Sequence, residues 1–391
     1  MKTMITLFIA CVLSCMAMAQ SNSTKLMRSS GKLPMLAYGL GEDRLGGAKM
    51  GYIDTNVLLK VIDSTKDMYK VQLSMQHAAY IEKAYAKLDT ITKLKSFYLT
   101  NAWSVKGIED SFDIVSVSMD EKLPYKTWME TAPAKIMVEL YGVQSNTNWI
   151  QQLQTAKEVK NIYFNQVEDD VVRITIELKH RQHWGYTAGY RGRTFTLKVK
   201  HQPQKLAIQQ LTIAIDAGHG GTNTGAGGIC TKIEEKTYTL LFAKALEKYL
   251  RKQKVNVIMT RTADTTIDNK DRVLFLQKQK PDLLISLHLN SSSNMMAMGT
   301  STYYKHIGFR PLSTAILKQM LSLGLNDFGN VGNFNFTPNA ITDFPNALVE
   351  IAFLSNPNDE RLILDTKFHD AVAKKIYAGI ANFLKLASKL P

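Results

Sequence analysis

Two histidines occupy equivalent places in this chain. His219 lies in the run Asp216-Ala-Gly-His-Gly-Gly221, directly after the apolar stretch Leu211-Thr-Ile-Ala-Ile215. His288 follows the apolar stretch Leu283–Leu287 and precedes the polar turn Asn290-Ser-Ser-Ser293. In an open α/β sheet, ligands gather beyond the carboxyl ends of the strands. Two such ends carrying imidazoles could converge on one metal ion. A third donor should come from a nearby loop or helix start, and Glu234 and Glu235 follow the glycine-rich stretch 218–228. Two imidazoles and a carboxylate around zinc leave a position open for water, the layout of a catalytic zinc site. A zinc hydrolase also needs a base that is not a ligand. Glu350 fits, because it interrupts the apolar run Ala347–Leu354. A carboxylate there is costly without a task or a partner, and burial would raise its pKa toward the working range. Each residue also has a plainer reading: a histidine that shapes a turn, or a glutamate facing solvent at a sheet edge. Cys230 is a weaker candidate as a soft ligand.

The elements that must position these groups begin near residue 208, where strand patterns alternate with helical ones. That alternation implies an α/β domain with a mainly parallel sheet flanked by helices. Tyr238, Leu241, Phe242, Ala245, Leu246, Tyr249 and Leu250 fall on one helical face, and Thr231-x-x-Glu234 reads as a capping box before it. Val255–Met259, Asp282–Leu287 and Ala347–Ile351 read as strands. Leu312–Gly324 reads as a helix with Gly324 at its end. A last helix should bury Phe368, Val372, Ile376, Ile380, Phe383 and Leu384.

The preceding half reads as all-β. Val57–Val61 and Tyr69–Leu73 are strands around the turn-rich Asp63–Asp67. Further on, Ile136–Leu140, Val172–Leu178 and Phe195–Val199 alternate in the way of half-buried strands. His201–Lys205 is a polar, proline-containing linker.

The first nineteen residues stand apart. Lys2 precedes an apolar core, Met4–Met16, and Ala17-Met18-Ala19 has the form of a signal-peptidase site. The run is too short to span about 30 Å of hydrocarbon comfortably. Val12-Leu-Ser-Cys15 loosely resembles a lipobox, so lipidation at Cys15 is the minor alternative to cleavage after Ala19. Export as a soluble chain without stable membrane insertion is therefore expected. Only Cys230 would remain in the mature chain, so packed cores and not disulfides must hold it together. The net charge of +14, or +13 without Lys2, is spread along the chain. Such an excess suits an anionic cell-wall polymer, whereas nucleic acid is a poor partner for an exported protein.

Taken in order, residues 212–386 resemble the zinc-dependent N-acetylmuramoyl-L-alanine amidases that act in bacterial cell separation. The carrying stretches are IAIDAGHGGTNTGAGG, EEKTYTLLFAKALEKYL, VIMTRTAD, DRVLFLQKQKPDLLISLHLNSS, GTSTYY and NALVEIAFLSNPNDE. The resemblance implies one zinc ion per catalytic domain, held by His219, Glu235 and His288. Glu235 is preferred to Glu234 because the family's ligand directly precedes a lysine, here Lys236. It further implies that Glu350 is the catalytic glutamate, and that the bond cleaved joins N-acetylmuramic acid to L-alanine in peptidoglycan. Asp216 and Asn290 could support the ligands, or simply stabilise their turns; Arg261 and Arg272 read as structural. Upstream, GEDRLGGAKMGYI followed by LLKVIDSTKDMYKVQLS resembles a bacterial SH3-like module. APAKIMVELYGV, VVRITIEL and GRTFTLKV resemble the β-sandwich targeting domain found ahead of Gram-negative wall amidases, which implies a periplasmic location. The expected organisation is a signal peptide (1–19), a disordered linker (20–33), an SH3-like module (34–96), a β-sandwich (97–201), a linker (202–209) and the catalytic domain (210–391).

Two departures from the family pattern stand out. Partner-controlled members carry a long helical insertion after the strand matched by TSTYY, whereas only Lys305–Pro311 lies between Tyr304 and Leu312 here. The site should then work without an activator protein. The stretch NFNFTPNAITDFPNALVE also lacks an arginine usual ahead of the glutamate, which bears on the shape of the substrate groove. Two alternatives to an amidase stay open at this point: a non-catalytic wall-binding protein, and a zinc peptidase or deacetylase on a related fold.

Overall fold

The computed structural model describes residues 25–41 and 45–389. The expected signal peptide, including Cys15, lies outside the described residues. Among the described residues no helix is long and apolar enough to cross a membrane.

The N-terminal half is all β. Its first sheet has seven antiparallel strands in the order Lys49–Tyr52, Met35–Ala37, Ala78–Glu82, Met68–Gln72, Leu58–Ser64, Lys25–Ser29 and Ala86–Leu88. Lys25–Ser29 falls within the segment expected to be a disordered linker. It instead pairs on both sides, burying Leu26 and Met27 in the core. The strand is only five residues long, too short to stand out among polar neighbours. Two further sheets follow. One has four strands (Tyr125–Thr131, Ala134–Tyr141, Val171–Leu178, Val159–Glu168); the other is built around Tyr98–Ile108, Phe112–Met119 and Thr194–Lys200. Both units share one hydrophobic core, running from Leu26 through Trp103 to Val199 and reaching Phe309 of the C-terminal half. The expected linker at His201 is also docked: its ring is buried, with Nε2 2.8 Å from Asp113 Oδ1.

The C-terminal half is α/β. Its elements are β1 (Thr212–Ala217), α1 (Glu235–Lys252), β2 (Asn256–Met259), α2 (Asn269–Gln279), β3 (Leu283–Asn290), β4 (Thr300–Tyr303), α3 (Arg310–Leu321), β5 (Asp327–Val331), β6 (Asn346–Phe353), α4 (Pro357–Leu364) and α5 (Thr366–Ala387). The sheet order is β2-β1-β3-β6-β4-β5. It is a mixed sheet: four neighbouring pairs are parallel, and β6 with β4 is antiparallel. Alternation along the central strands divides the two faces. Ile213, Ile215, Leu283, Ile285, Leu287, Val349 and Ile351 pack under α1, α3 and α5, while Ala214 and Leu284 pack against Val273 and Leu276 of α2. A sheet covered on both faces explains why β3 reads as a nearly continuous apolar run.

Details differ at α1. The buried stripe is Glu235, Thr239, Phe242, Ala243, Leu246 and Leu250, whereas Leu241 is exposed. The capping box does not form: the Thr231 hydroxyl donates to Glu360 Oε1 at 2.5 Å, and Glu234 caps without its side chain. Glu360 also accepts the Cys230 and Thr231 amides, which ties this loop to α4. Six residues, 304–309, join β4 to α3, three of them in a short 3-10 turn.

Candidate active site

The two-residue alternation that buries Ile285 and Leu287 under α1 turns Ser286 and His288 to the opposite face. Asp216 shares that face on β1, as does Glu350 on β6, which is paired in register with His288. His219 follows β1 with φ at +63°. This left-handed conformation is uncommon for a residue with a side chain and persists only where its surroundings enforce it. Glu235 opens α1, where a carboxylate is favoured by the helix dipole.

Three donor atoms meet here. His219 Nε2 and His288 Nδ1 each lie 3.0 Å from Glu235 Oε1, and 3.2 Å from each other. The ring planes stand at 78° with centroids 4.9 Å apart. The Leu289 and Ala226 amides orient the carboxylate, donating to Oε1 at 3.1 Å and to Oε2 at 2.8 Å. Burial opposes ionisation of Glu235, but its bonds to the two imidazoles outweigh that and hold its carboxyl well below the usual range.

Whether a metal fits can be tested on these contacts. Asn223 Oδ1 accepts the Gly225 amide at 3.2 Å and lies 2.9 Å from His219 Nδ1, so that nitrogen must be the donor. His219 Nε2 then faces a carboxylate oxygen with its lone pair unless a proton or cation lies between them. His288 Nδ1 faces both atoms, and two ring protons cannot point at each other across 3.2 Å. One cation shared by the three donors satisfies every contact. Tetrahedral zinc with bonds of about 2.0–2.1 Å holds its donors about 3.3 Å apart, close to the separations found. His219, Glu235 and His288 thus fit a metal ion by donor type and by spacing.

Other predicted residues sit differently. Glu234 turns away to Lys236 at 3.4 Å. Cys230 is exposed and outside the donor group. Asn290 lines the cleft and donates to the Tyr303 hydroxyl at 3.4 Å. Asp216 meets none of the three donor side chains; it accepts from Arg272 at 2.5 Å and from the Ser286 and Thr260 hydroxyls at 2.7 Å each.

The two arginines taken as structural hold the histidine turn. Arg272 donates to the Ala217 carbonyl at 2.9 Å and also to the His219 carbonyl. Arg261 donates to the carbonyls of Ala217 (2.9 Å), Gly218 (3.0 Å) and Lys236 (2.6 Å). Together they fix three consecutive carbonyls and so enforce the strained φ of His219. Gly218 is needed for a separate reason. A Cβ there would lie 2.3 Å from His288 Cε1, so the imidazole rests directly on the glycine backbone. Sequence reading left both arginines out of the site because the turn carbonyls they hold lie more than 40 positions away; for Arg272, the buried-charge cost of an arginine on a packed helix face was the available signal.

The cleft around the donors has a volume of about 710 Å³. Glu350, Asn290 and Leu348 line it from the sheet, and Phe334, Asn335, Phe336 and Thr337 from the long β5–β6 connection. Phe336 stands edge-on to His288 with ring centroids 5.4 Å apart.

Residues 213–382, which include all four residues just placed, match the family model described as N-acetylmuramoyl-L-alanine amidase. The chain is also 26% identical over 287 residues to a probable cell wall amidase LytH of Staphylococcus saprophyticus, covering 73% of this chain and 89% of that one. The chain is an amidase. The Staphylococcus aureus protein of the same name is 30% identical over 197 residues, half of this chain and 66% of the relative. Among solved structures, the catalytic domain of CwlV, an N-acetylmuramoyl-L-alanine amidase from Bacillus (Paenibacillus) polymyxa, is 34% identical. That alignment covers 45% of this chain and 99% of the other, with a TM-score of 0.43. Peptidoglycan amidase activity in cell-wall remodelling follows for this amidase from the family match and the named relatives.

Proposed function

We propose that this amidase is zinc-dependent and hydrolyses the amide between N-acetylmuramic acid and L-alanine. The observation that carries the reading is the convergence of His219, Glu235 and His288 on one point, with Glu350 in register beside His288. His219, Glu235 and His288 would hold the ion, and zinc there would supply Lewis-acid polarisation of the amide carbonyl and acidify water. Glu350 accepts the proton of the attacking water at its carboxylate, then delivers it to the alanine nitrogen as the carbon–nitrogen bond breaks. The products are a muramic acid carboxylate and a peptide with a free amino terminus. Arg261 and Arg272 act at a distance by fixing the His219 turn, and the stacked Gly218 sets the orientation of His288.

The rest of the reading concerns placement. The N-terminal leader exports the chain, to the periplasm of a Gram-negative cell, and the β units, SH3-like and sandwich-like, hold the enzyme on the wall. The short connection from β4 through a 3-10 turn to α3 supports activity without an activator protein, and cell separation is the natural setting.

Digestion of purified peptidoglycan by the full chain tests this. New L-alanine amino termini with intact glycan are expected, without any added partner protein. Trimming at another bond would make it a peptidase, and wall binding without release would make it a binder. Glu350→Gln should lower turnover by at least about 10²-fold while zinc content stays at one per chain; full activity in that variant would remove Glu350 from its role.

A further inference from the structure

One wall of the cleft comes from outside the catalytic half. Lys49, at the start of a strand of the first N-terminal sheet, and Leu45 in the turn before it line the same cavity as His219, His288 and Glu350. They are held there by Asn335, 286 residues beyond Lys49. Asn335 Oδ1 accepts the Lys49 amide at 2.9 Å. Asn335 Nδ2 faces three successive carbonyls, Leu45 at 3.4 Å, Gly46 at 3.2 Å and Gly47 at 3.0 Å. Lys49 Nζ returns a bond to the Asn335 carbonyl at 2.7 Å, and Tyr52 donates to the Thr337 carbonyl at 3.4 Å.

This latch needs its glycines. Three carbonyls in a row converge on one amide because the chain reverses at Gly46, whose φ is +69°, and because Gly47 has no Cβ to meet the Gly39 oxygen at 2.0 Å. Lys49 itself is buried, so its ammonium is committed to this junction and not to solvent. On the other side of the latch, Asn335 sits between Phe334 and Phe336, and Phe336 abuts the His288 ring. The contact therefore runs from the N-terminal sheet, through Asn335, to a residue touching the donor cluster.

We propose that the N-terminal sheet is a working wall of the substrate cleft, and that Asn335 and Lys49 are positioning residues that fix the cleft's width around a muramoyl peptide. The inference rests on the reading of the cleft as the amide-cleaving site. Free of the latch, the 333–337 segment would no longer present Phe334, Phe336 and Thr337 in one arrangement. Substrate would then bind a cleft that must first be ordered, which weakens binding more than chemistry.

The experiment uses the full chain loaded with zinc, a soluble muropeptide of N-acetylmuramic acid and a short stem peptide, and the variants Asn335→Ala and Lys49→Met. KM should rise by about fivefold or more in Asn335→Ala and by less in Lys49→Met, with kcat changed less than about twofold. Lys49→Arg, which keeps the charge and the reach, should recover most of the loss. A KM unchanged in Asn335→Ala, or a fall in kcat alone, would overturn the proposal. Hydrogen exchange at amides 333–337 is read in parallel without substrate. Faster exchange in Asn335→Ala is expected, and unchanged exchange refutes the latch whether or not the wild-type chain turns over muropeptide. Faster exchange in Asn335→Ala together with a wild-type chain that cleaves no muropeptide keeps the latch but sinks the amide-cleaving assignment of the cleft and with it the substrate-positioning role.

Discussion

Replacing Gly218 with alanine is the sharpest test of how the donor cluster is built. The new methyl would sit 2.3, 2.5 and 2.6 Å from Cε1, Nε2 and Nδ1 of His288. Ordinary carbon contacts begin at about 3.5 Å, so the imidazole must retreat by about 1.2 Å. Arg261 anchors the backbone here by donating to the Ala217 and Gly218 carbonyls, so the ring and not the turn has to give. Its φ is not in the left-handed region, and the substitution carries no separate backbone penalty. Zinc sites tolerate departures of about 0.2 Å in donor position, which makes the displacement several times too large. Zinc affinity should fall by about 10²-fold or more, beyond the usual loss for altering a ligand's support, while the two large cores keep the fold. Competition against a chromophoric chelator reads the affinity, and a thermal melt checks the fold. Wild-type zinc affinity in a folded Gly218→Ala chain would show that His288 does not hold the ion through the nitrogen described.

Further outcomes follow from the same contacts. Arg272 and Asp216 form a buried pair with 3% and 1% of their side chains exposed, so Arg272→Met should cost about 3–5 kcal/mol of unfolding free energy by stranding a buried carboxylate. The double variant with Asp216→Asn should lose less, measured by denaturant titration. Burial works to raise the Asp216 pKa, but Arg272 and two hydroxyls bring it down to about 2. Because this folded-state value lies below the unfolded one, the associated stability is complete above about pH 4 and lost as pH falls through 2. It amounts to about 2 kcal/mol, and its absence from the acid limb in Asp216→Asn is the check. Chelation should abolish hydrolysis and zinc restore it, with far-UV dichroism unchanged, since neither main core includes the donor side chains.

The catalytic half was legible because its chemistry is local to strand ends. His219 and His288 each follow an apolar run of period fitting a buried strand, and Glu350 interrupts a third; adjacency of β1, β3 and β6 then brings them together. What the text of the chain hides is pairing across distance. Nothing near Asp216 announces Arg272, 56 positions on, and the polar tract holding Lys25–Ser29 gives no sign that two strands flank it. The departure noted at 333–345 was visible, but not its reason. Tyr186 bonds the Thr342 carbonyl at 2.8 Å, Thr187 reaches Asp343 at 3.0 Å, and Asn335 grips Leu45–Lys49. A stretch shaped by partners 156 to 290 positions earlier has no reason to follow a pattern set within the catalytic half.

That grip bears on how such a protein could be recombined. A crossover placed in the apparent linker at 202–209 would join one chain's β units to another's catalytic half. The exchanged halves would then disagree at Asn335, inside the recipient's own cleft, and at Thr342 and Asp343 further along the same connection. The heritable module here is discontinuous: 25–200 travels with 333–345, and a productive graft must carry both.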